Sequence, residues 1–340
     1  MNKKETVCAV VVTYNRKDLL IECLDALLKQ TRPVQGVYII DNFSNDGTPE
    51  LLLEKGYIKK LPPENIKESY EMEFELKKDL KVFYVRMHEN TGGAGGFYEG
   101  VKRGYERGYD WLWLMDDDAE PKEDALEKLS LYFHNEQLVG LASKVVLKNG
   151  RIAHSHRGKV YSINIFSKIQ KPLKIKEYKK PNVEIDIVSF VGFLVSKSVI
   201  SYIGFPKKEF FIHNDDVEYS LRIRKNGKIF LVTNSTIIHK EKFKEELQRK
   251  IVFLKKGNRT NFNSYWLAYY GLRNLIYIRK TEFGLATAII SSIFIFSRQL
   301  AGIILFDDNK LKRIKFVLSA FCDGMKGVFD NEKPKKILYS

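Results

Sequence analysis

The sequence predicts an α/β fold, a mainly parallel sheet with helices on both faces, followed by a helical and basic C-terminal region. Three observations carry this. Short apolar runs alternate with segments of helical apolar spacing through the first half of the chain. Polar residues with ligand chemistry stand just after those runs, where open α/β sheets bind their ligands. After about residue 260 the chain becomes aromatic and basic, then apolar, then basic again.

The elements follow in order. Val7–Thr13 is a valine-rich first strand, and Asp18 to Gln30 carries Leu19, Leu20, Cys23, Leu24, Leu27 and Leu28 at helical spacing. Gly36–Asp41 is the second strand and Thr48 to Lys55 a short helix. Lys81–Arg86 is the third strand and Ala94 to Arg107 its helix; Trp111–Met115 is the fourth strand, followed by a helix over Glu123 to Phe133. Trp111 and Trp113 read as sheet packing. Between these, Pro62 to Asp79 reads as a polar surface excursion.

Lys148 to Pro181, with Arg151, Arg157, Lys168, Lys171, Lys174, Lys176, Lys179 and Lys180, reads as a loop or edge hairpin near the site, most of its lysines solvated. Ile185 to Ser196 returns to strand character. Asp215 to Gly227 is a helix opened by acids and closed by Asn226-Gly227, and Ile229–Val232 and Thr236–His239 are short strands. Leu311 to Phe329 has helical apolar spacing with Lys312, Arg313, Lys315 and Lys326 on its polar side. The expected domains are residues 1–245, which carry the ligand chemistry, and 246–340, the helical basic region.

The 340 residues carry a net charge of +15, which implies an anionic partner: phosphates, acidic lipid head groups or nucleic acid. The three cysteines, Cys8, Cys23 and Cys322, form no metal-ligand or disulfide pattern and fit a reducing compartment, with Cys8 and Cys23 in the core. Asn2-Lys3-Lys4 precedes an apolar stretch too short for a secretory signal, so the expected location is cytoplasmic.

Asp116, Asp117 and Asp118 are the most informative residues. Acids crowded at the end of an apolar strand repel one another, and a divalent cation removes the conflict. Carboxylate oxygens suit Mg²⁺ or Mn²⁺, ions commonly shared with substrate phosphates. The alternative is an acidic helix cap, with Pro121 in the first helical turn. Asp41 ends a strand and can accept from a base N–H or a ribose hydroxyl; the alternative is a turn residue. Gly92-Gly93-Ala94-Gly95-Gly96 follows a strand and opens a helix, so backbone N–H groups can approach phosphate or sugar oxygens. A dinucleotide fingerprint belongs after the first strand, where Thr13-Tyr14-Asn15-Arg16 has no glycine; this argues against NAD.

Val10-Val11-Val12-Thr13-Tyr14-Asn15-Arg16, Ile40-Asp41-Asn42-Phe43-Ser44-Asn45-Asp46-Gly47-Thr48, Asn90-Thr91-Gly92-Gly93-Ala94-Gly95-Gly96 and Met115-Asp116-Asp117-Asp118-Ala119 together resemble the donor site of a family 2 glycosyltransferase with the GT-A (Rossmann-like) fold. Phe211-Ile212-His213-Asn214-Asp215-Asp216-Val217-Glu218 resembles its acidic acceptor-side motif. The ordered motifs span roughly residues 5–240 and look most like bacterial galactofuranosyltransferases, with rhamnosyltransferases next. The resemblance implies an inverting, metal-dependent hexosyltransferase that uses a UDP- or dTDP-linked nucleotide-sugar donor. Its acceptor would be a glycan or polyprenyl-linked glycan of capsule, O-antigen or another cell-surface polysaccharide.

The resemblance also distributes roles. Thr13, Asn15, Asp41, Asn90, Gly92, Gly93, Gly95, Asp116 and Asp117 would lie on the donor side, Asp41 toward uracil or thymine. Asp118 would bind Mn²⁺ or Mg²⁺, Asp116 the ribose or the metal, and Asp117 could instead be structural. His239 is the candidate third metal ligand, its alternative a structural histidine. Asp216 would be the general base, with Asp215 beside it in a role the Asp-Asp pair leaves open, and His213 would line the acceptor side or pack.

Gly284–Phe296 falls short of the ~20 apolar residues of a spanning helix, and extension to Phe306 takes in Arg298 and Gln299. A helix lying in the interface, drawn to an anionic membrane surface on the inner face of the cell membrane, is the favoured reading. The alternative is burial in a homo-oligomer. Two competing functions are weighed. A nucleotidyltransferase needs a basic, glycine-rich signature at the first strand, which is absent. A basic nucleic-acid-binding module without activity needs cations interleaved with aromatics at a reading surface, whereas acids occupy the strand ends here; no nucleic-acid partner is expected.

Overall fold

Runs of valine, isoleucine and aromatic residues become the inner strands because both of their faces are covered, which rewards continuous apolar sequence over alternation. The computed structural model describes residues 5–160, 169–240, 247–252 and 255–340. They divide into two units. The first takes residues 5–160, 170–208 and 216–240; the second takes Ile169, Glu209–Asp215 and the described residues from Leu247 onward.

The strands of the first unit are β1 (Val7–Thr13), β2 (Gly36–Asp41), β3 (Tyr70–Lys77), β4 (Leu80–Arg86), β5 (Trp111–Asp116), β6 (Ala119–Pro121), β7 (Leu138–Leu147), β8 (Arg157–Val160), β9 (Gln170–Pro172), β10 (Asn182–Ile185), β11 (Ile187–Val188), β12 (Phe193–Ser196) and β13 (Lys228–His239). Its helices are α1 (Lys17–Leu28), α2 (Thr48–Glu54), α3 (Gly92–Glu106), α4 (Ala125–Ser130) and α5 (Lys197–Ile203), with α6 (Asp215–Ile223) beginning at the boundary between units. The main sheet runs β10-β13-β7-β12-β5-β1-β2-β4-β3, with β6 added on β13. β1 is parallel to β2 and β5, β2 to β4, and β7 to β13; β3, β6, β10 and β12 join antiparallel. β8, β9 and β11 form a separate small sheet.

Strand alternation sorts the core onto two faces. Val7, Ala9 and Val11 of β1 pack with Leu20 and Leu24 of α1, while Cys8, Val10 and Val12 pack with Phe97 and Val101 of α3. The α3 contact depends on missing side chains. A Cβ on Gly96 would lie 2.5 Å from Val12, on Gly100 2.2 Å from Val10, and on Gly104 2.6 Å from Leu112. These glycines recur every fourth residue, one stripe of the helix, and let it lie directly on the strands. Gly92 adopts φ +71°, a left-handed start that glycine tolerates.

Several elements differ from the sequence expectation. Tyr70–Lys77 is an antiparallel edge strand inside the expected surface excursion, with Met72 and Phe74 buried and Glu71 and Glu73 paired to Arg107. β7 lies where no strand is predicted. The two short strands at 229–232 and 236–239 are one strand, β13, with a register shift between Val232 and Thr236. The expected strand Ile185–Ser196 is interrupted between β11 and β12. The expected helices after Glu123 and Asp215 are shortened to Ala125–Ser130 and Asp215–Ile223. Within the basic segment, Arg157 is fully buried, donating to the carbonyls of Ser143, His156 and Val191. Lys168 lies outside the described residues.

In the second unit, strands Leu247–Val252 and Lys255–Thr260 form a hairpin, followed by α7 (Leu267–Phe283), α8 (Leu285–Phe306), α9 (Lys310–Lys326) and α10 (Lys333–Tyr339). Tyr269, Ile276, Phe316, Val317, Ala320 and Leu338 make its core. Asp323 ties three helices together, accepting from Tyr269 (2.5 Å) and Lys333 (2.7 Å). α8 corrects the expectation of a short apolar helix: it continues through Arg298 and Gln299 to 22 residues, long and apolar enough by length and composition to cross a membrane.

Candidate functional site

The carboxyl ends of β1, β2 and β5 lie side by side. Thr13 pairs with Asp41 across β1–β2, and Val12 with Asp116 across β1–β5. With strands spaced about 4.8 Å apart, Asp41 and Asp116 stand roughly 10 Å from one another on one sheet edge. The helix-cap alternative for the triplet does not hold. Pro121 ends β6, and α4 begins only at Ala125, so the acids precede a strand.

β6 explains how His239 reaches the triplet. It pairs antiparallel with β13, setting His239 opposite Ala119, and the Lys240 N–H donates to the Asp118 carbonyl at 2.9 Å. His239 Nε2 then lies 3.0 Å from Asp118 Oδ1. Ligand atoms of Asp116, Asp118 and His239 all fall within 4.8 Å of one another. Among the described residues, Asp118 Oδ1 has no well-aligned hydrogen-bond donor despite its burial and the nearby imidazole. Two carboxylates and an imidazole facing one point fit a divalent cation of the Mg²⁺ or Mn²⁺ type.

The electrostatics point the same way. Burial, then the charges of Asp118 and Asp117, push the Asp116 carboxyl up to about 7. Burial pushes Asp117 up to about 6, against the pull of Arg16. For Asp118, burial is outweighed by the His239 and Arg16 interactions, which hold its carboxyl below the usual range. The cluster has more negative charge than its protein cations neutralise, a deficit that a bound cation would fill.

Thr13 and Asp117 hold one another: Thr13 Oγ1 donates to Asp117 Oδ2 at 2.8 Å, and both are buried. Arg16 donates to Asp117 (3.2 Å) and Asp118 (2.9 Å) while half its side chain remains exposed. Asp117 is thus bound into the protein. Asp41 is also engaged, 0% exposed, accepting from Ser44 N (2.8 Å), Tyr84 OH (2.6 Å) and Arg86 (2.6 Å). Asn15, at φ +54°, accepts from Asn45 N through its side chain and donates its own N–H to Ser44 Oγ, stapling two loops. Asn90 accepts from Asn42 and from Gly92 N; Asn42 also donates to the Gly92 carbonyl and accepts from Thr91. Among the glycines, a Cβ on Gly95 would strike Thr91, whereas Gly93 faces open space.

The other predicted residues are placed as follows. Asp216 is half-buried, accepts from Val217 N at 2.7 Å, and is pushed up to about 6 by burial, with Arg157 pulling the other way. His213 and Asp215 belong to the second unit, His213 exposed at φ +69° and Asp215 buried. Sequence reading missed Arg16 as a partner of the acids, the Tyr84–Arg86 pair behind Asp41, and His156. The His156 ring meets that of His239 edge-on at 5.0 Å and is held by Ser189 at 2.8 Å; burial and Arg157 depress its pKa to about 3. Only the two-residue spacing of Tyr84 and Arg86, which puts both on one strand face, was a usable signal. A cleft of about 810 Å³ lies beside α1 and β6, lined by Glu22, Lys122 and Lys240 among others; it does not include the triplet, and convergent ligand atoms rather than volume mark the site.

Residues 8–204 match the model of the glycosyl transferase family 2. The chain is 26% identical over 232 residues to galactofuranosyltransferase GlfT1 of Mycolicibacterium smegmatis, covering 67% of this chain and 68% of that protein. It is 24% identical over 330 residues to the dTDP-rhamnosyl transferase RfbF of Shigella flexneri, covering 95% and 96%. Among solved structures, S. aureus TarS 1-349 in complex with UDP-GlcNAc superimposes with a TM-score of 0.55 at 14% identity, over 98% of this chain and 86% of that one. GalNAc-T7 with UDP, GalNAc and Mn²⁺ gives 0.56 at 16% identity, over 96% and 57%. The strands and loops that hold the acids, Asp41 and the glycine turn fall within the matched residues, and the chain belongs to glycosyl transferase family 2: it is a glycosyltransferase with a GT-A-like fold.

Proposed function

We propose that this chain moves a sugar from a nucleotide-diphosphate donor to a glycan or lipid-linked acceptor, with inversion, in cell-surface polysaccharide synthesis. Galactofuranose is the first candidate sugar and rhamnose the second, on the strength of the similarity to a galactofuranosyltransferase and a dTDP-rhamnosyl transferase. The observation that carries the reading is the convergence of Asp116, Asp118 and His239 at the carboxyl edge of the sheet, beside the glycine turn.

Bound Mn²⁺ or Mg²⁺ would supply Lewis-acid neutralisation of the departing diphosphate. Asp116, Asp118 and His239 would hold it, while Thr13 and Arg16 keep Asp117 and Asp118 in place. Asp41, with both oxygens engaged by protein donors, would shape the nucleotide end of the site, and the N-terminal turn of α3 would offer backbone N–H groups to donor oxygens. Asp216 takes the proton from the acceptor hydroxyl as that oxygen attacks the anomeric carbon and the nucleotide diphosphate leaves. Asp215 flanks it, and His213 would stand on the acceptor side.

The catalytic domain is read as residues 1–245 and the remainder as a membrane-associating region. α8 presents exposed Leu285, Ile289, Ile293, Ile304 and Leu305, with Arg298, Lys310, Lys312 and Lys315 exposed nearby. Its other side packs on α7 and α9. A helix packed on one side and apolar on the other suits the plane of an anionic bilayer surface, peripheral on the cytoplasmic face.

Four outcomes are expected. Titration calorimetry of UDP plus Mn²⁺ detects binding to the parent chain and at least a hundredfold weaker binding to Asp118→Ala; equal affinities refute the metal-ligand role. Asp216→Asn keeps that binding and loses roughly 10²–10⁴-fold in turnover. Because Asp216 must be ionised to accept a proton, parent turnover falls about tenfold per pH unit below about 6 and is flat above; retained turnover in the variant shifts attention to Asp215. In flotation assays the chain co-floats with phosphatidylglycerol-containing vesicles and not with pure phosphatidylcholine, and Ile289→Asp/Ile293→Asp abolishes the association. Concentration-dependent self-association in place of vesicle binding would favour the oligomer.

A further inference from the structure

The segment Glu209–Asp215 carries an unusual backbone. Phe211, His213 and Asn214 have φ of +63°, +69° and +64°, so three of four consecutive residues are left-handed without being glycine. Such residues are strained and persist only where their surroundings over-determine them. α7 supplies the hydrogen bonds that follow. Asn274 Nδ2 donates to the carbonyls of Phe210 (3.0 Å), Ile212 (3.2 Å) and His213 (2.8 Å). Arg273 donates to the carbonyls of Glu209 and Phe210, each at 3.1 Å, and through Nε to Asn274 Oδ1 at 3.0 Å, which fixes the orientation of the amide. Asn214 returns a bond to the Gly271 carbonyl at 3.1 Å, and Phe211 stacks on Tyr270 at 4.7 Å.

Arg273 and Asn274 are both 0% exposed. A guanidinium taken fully out of water is expensive. Here it meets backbone carbonyls, Asn331 Oδ1 at 3.1 Å, and the rings of Tyr270 and Phe329. A hydrophobic residue could fill this space; it could not hold a left-handed loop by its carbonyls. The loop ends in Asp215, and Asp216 is the next residue of the chain.

We propose that Arg273 and Asn274 are positioning residues for the transfer step: they clamp the left-handed loop Phe211–Asn214 and so deliver the acid pair that follows it in one geometry. This rests on the reading of Asp216 as the general base. A side chain displaced by about an ångström can lower turnover roughly 10²-fold without touching substrate.

The test uses the full chain, with UDP-galactofuranose or dTDP-rhamnose as donor, whichever is turned over, and an n-octyl glycoside as acceptor. Asn274→Ala is expected to lower kcat about a hundredfold with donor KM and UDP–Mn²⁺ affinity within twofold, and to speed hydrogen exchange of amides 211–217. In an Asp216→Asn background the same change is expected to cost no more than twofold, because both act through one group. If Asn274→Ala does not fold, as judged by lost UDP–Mn²⁺ binding, Asn274→Ser and Arg273→Lys serve instead, with the same expected kcat loss and faster exchange. Unchanged kcat and unchanged exchange in these variants overturn the proposal while leaving the base assignment intact. Full additivity with Asp216→Asn also overturns it. Retained turnover in Asp216→Asn alone overturns the base assignment, a result separate from the exchange measurement on the loop.

Discussion

Three carboxylates at the end of a buried strand are an electrostatic problem that the surrounding structure is arranged to contain. β5 ends in Asp116 after five buried residues, and Asp117 and Asp118 follow without leaving the interior. Each acid is handled differently. Asp117 is bound by Thr13 and Arg16; Asp118 meets Arg16 and His239; Asp116 is left with its carboxyl pushed up to about 7 by burial and by its neighbours. The residual negative charge is directed to one point, shared by Asp116, Asp118 and His239.

The fold brings these groups together from five stretches of chain. β1 is the hub. Its end supplies Thr13 and the turn to Arg16, its two parallel neighbours supply Asp41 and Asp116, and its exposed turn is stapled to the next loop through Asn15 and Ser44. The glycine stripe of α3 lets that helix lie close on β1 and β5, placing its first turn near the same edge. β13 completes the group by pairing with β6, a three-residue strand whose register sets His239 opposite Ala119, next to the triplet. The second unit holds one of its own segments comparably: a buried arginine and asparagine direct their donors to carbonyls of the seven-residue segment Glu209–Asp215.

Much of this was legible in the sequence because two kinds of signal coincide there. Inner parallel strands are uninterrupted apolar runs, and their ends carry residues that packing alone does not explain; Val7–Thr13, Gly36–Asp41 and Trp111–Asp116 show both. What escaped lacks one of the two. β3 is an edge strand whose sequence, Tyr-Glu-Met-Glu-Phe-Glu-Leu-Lys, buries only alternate residues and therefore looks polar on average. β7 mixes Gly140, Ser143 and Lys144 into its run, and β13 has a register shift at the polar stretch Thr233-Asn234-Ser235, which divides its apolar run in two. Arg157 sat among solvated lysines, and nothing local distinguishes a cation that finds three buried carbonyls. The pairings of Arg16 with Asp117 and of Asn274 with Phe210–His213 join residues about a hundred and about sixty positions apart, beyond any periodicity. α8 was read short because Arg298 and Gln299 were weighed as breaks in an apolar run, whereas a helix tolerates them on its surface.

The central claim, that Asp116, Asp118 and His239 jointly hold a divalent cation, is tested most directly by anomalous diffraction at the manganese edge from crystals grown with Mn²⁺ and UDP. The account predicts one strong peak within coordination distance, about 2.1 Å, of an Asp118 oxygen and of His239 Nε2, with Asp116 adjoining it. A peak elsewhere on the chain, or manganese bound to UDP without any of these three residues, would contradict it.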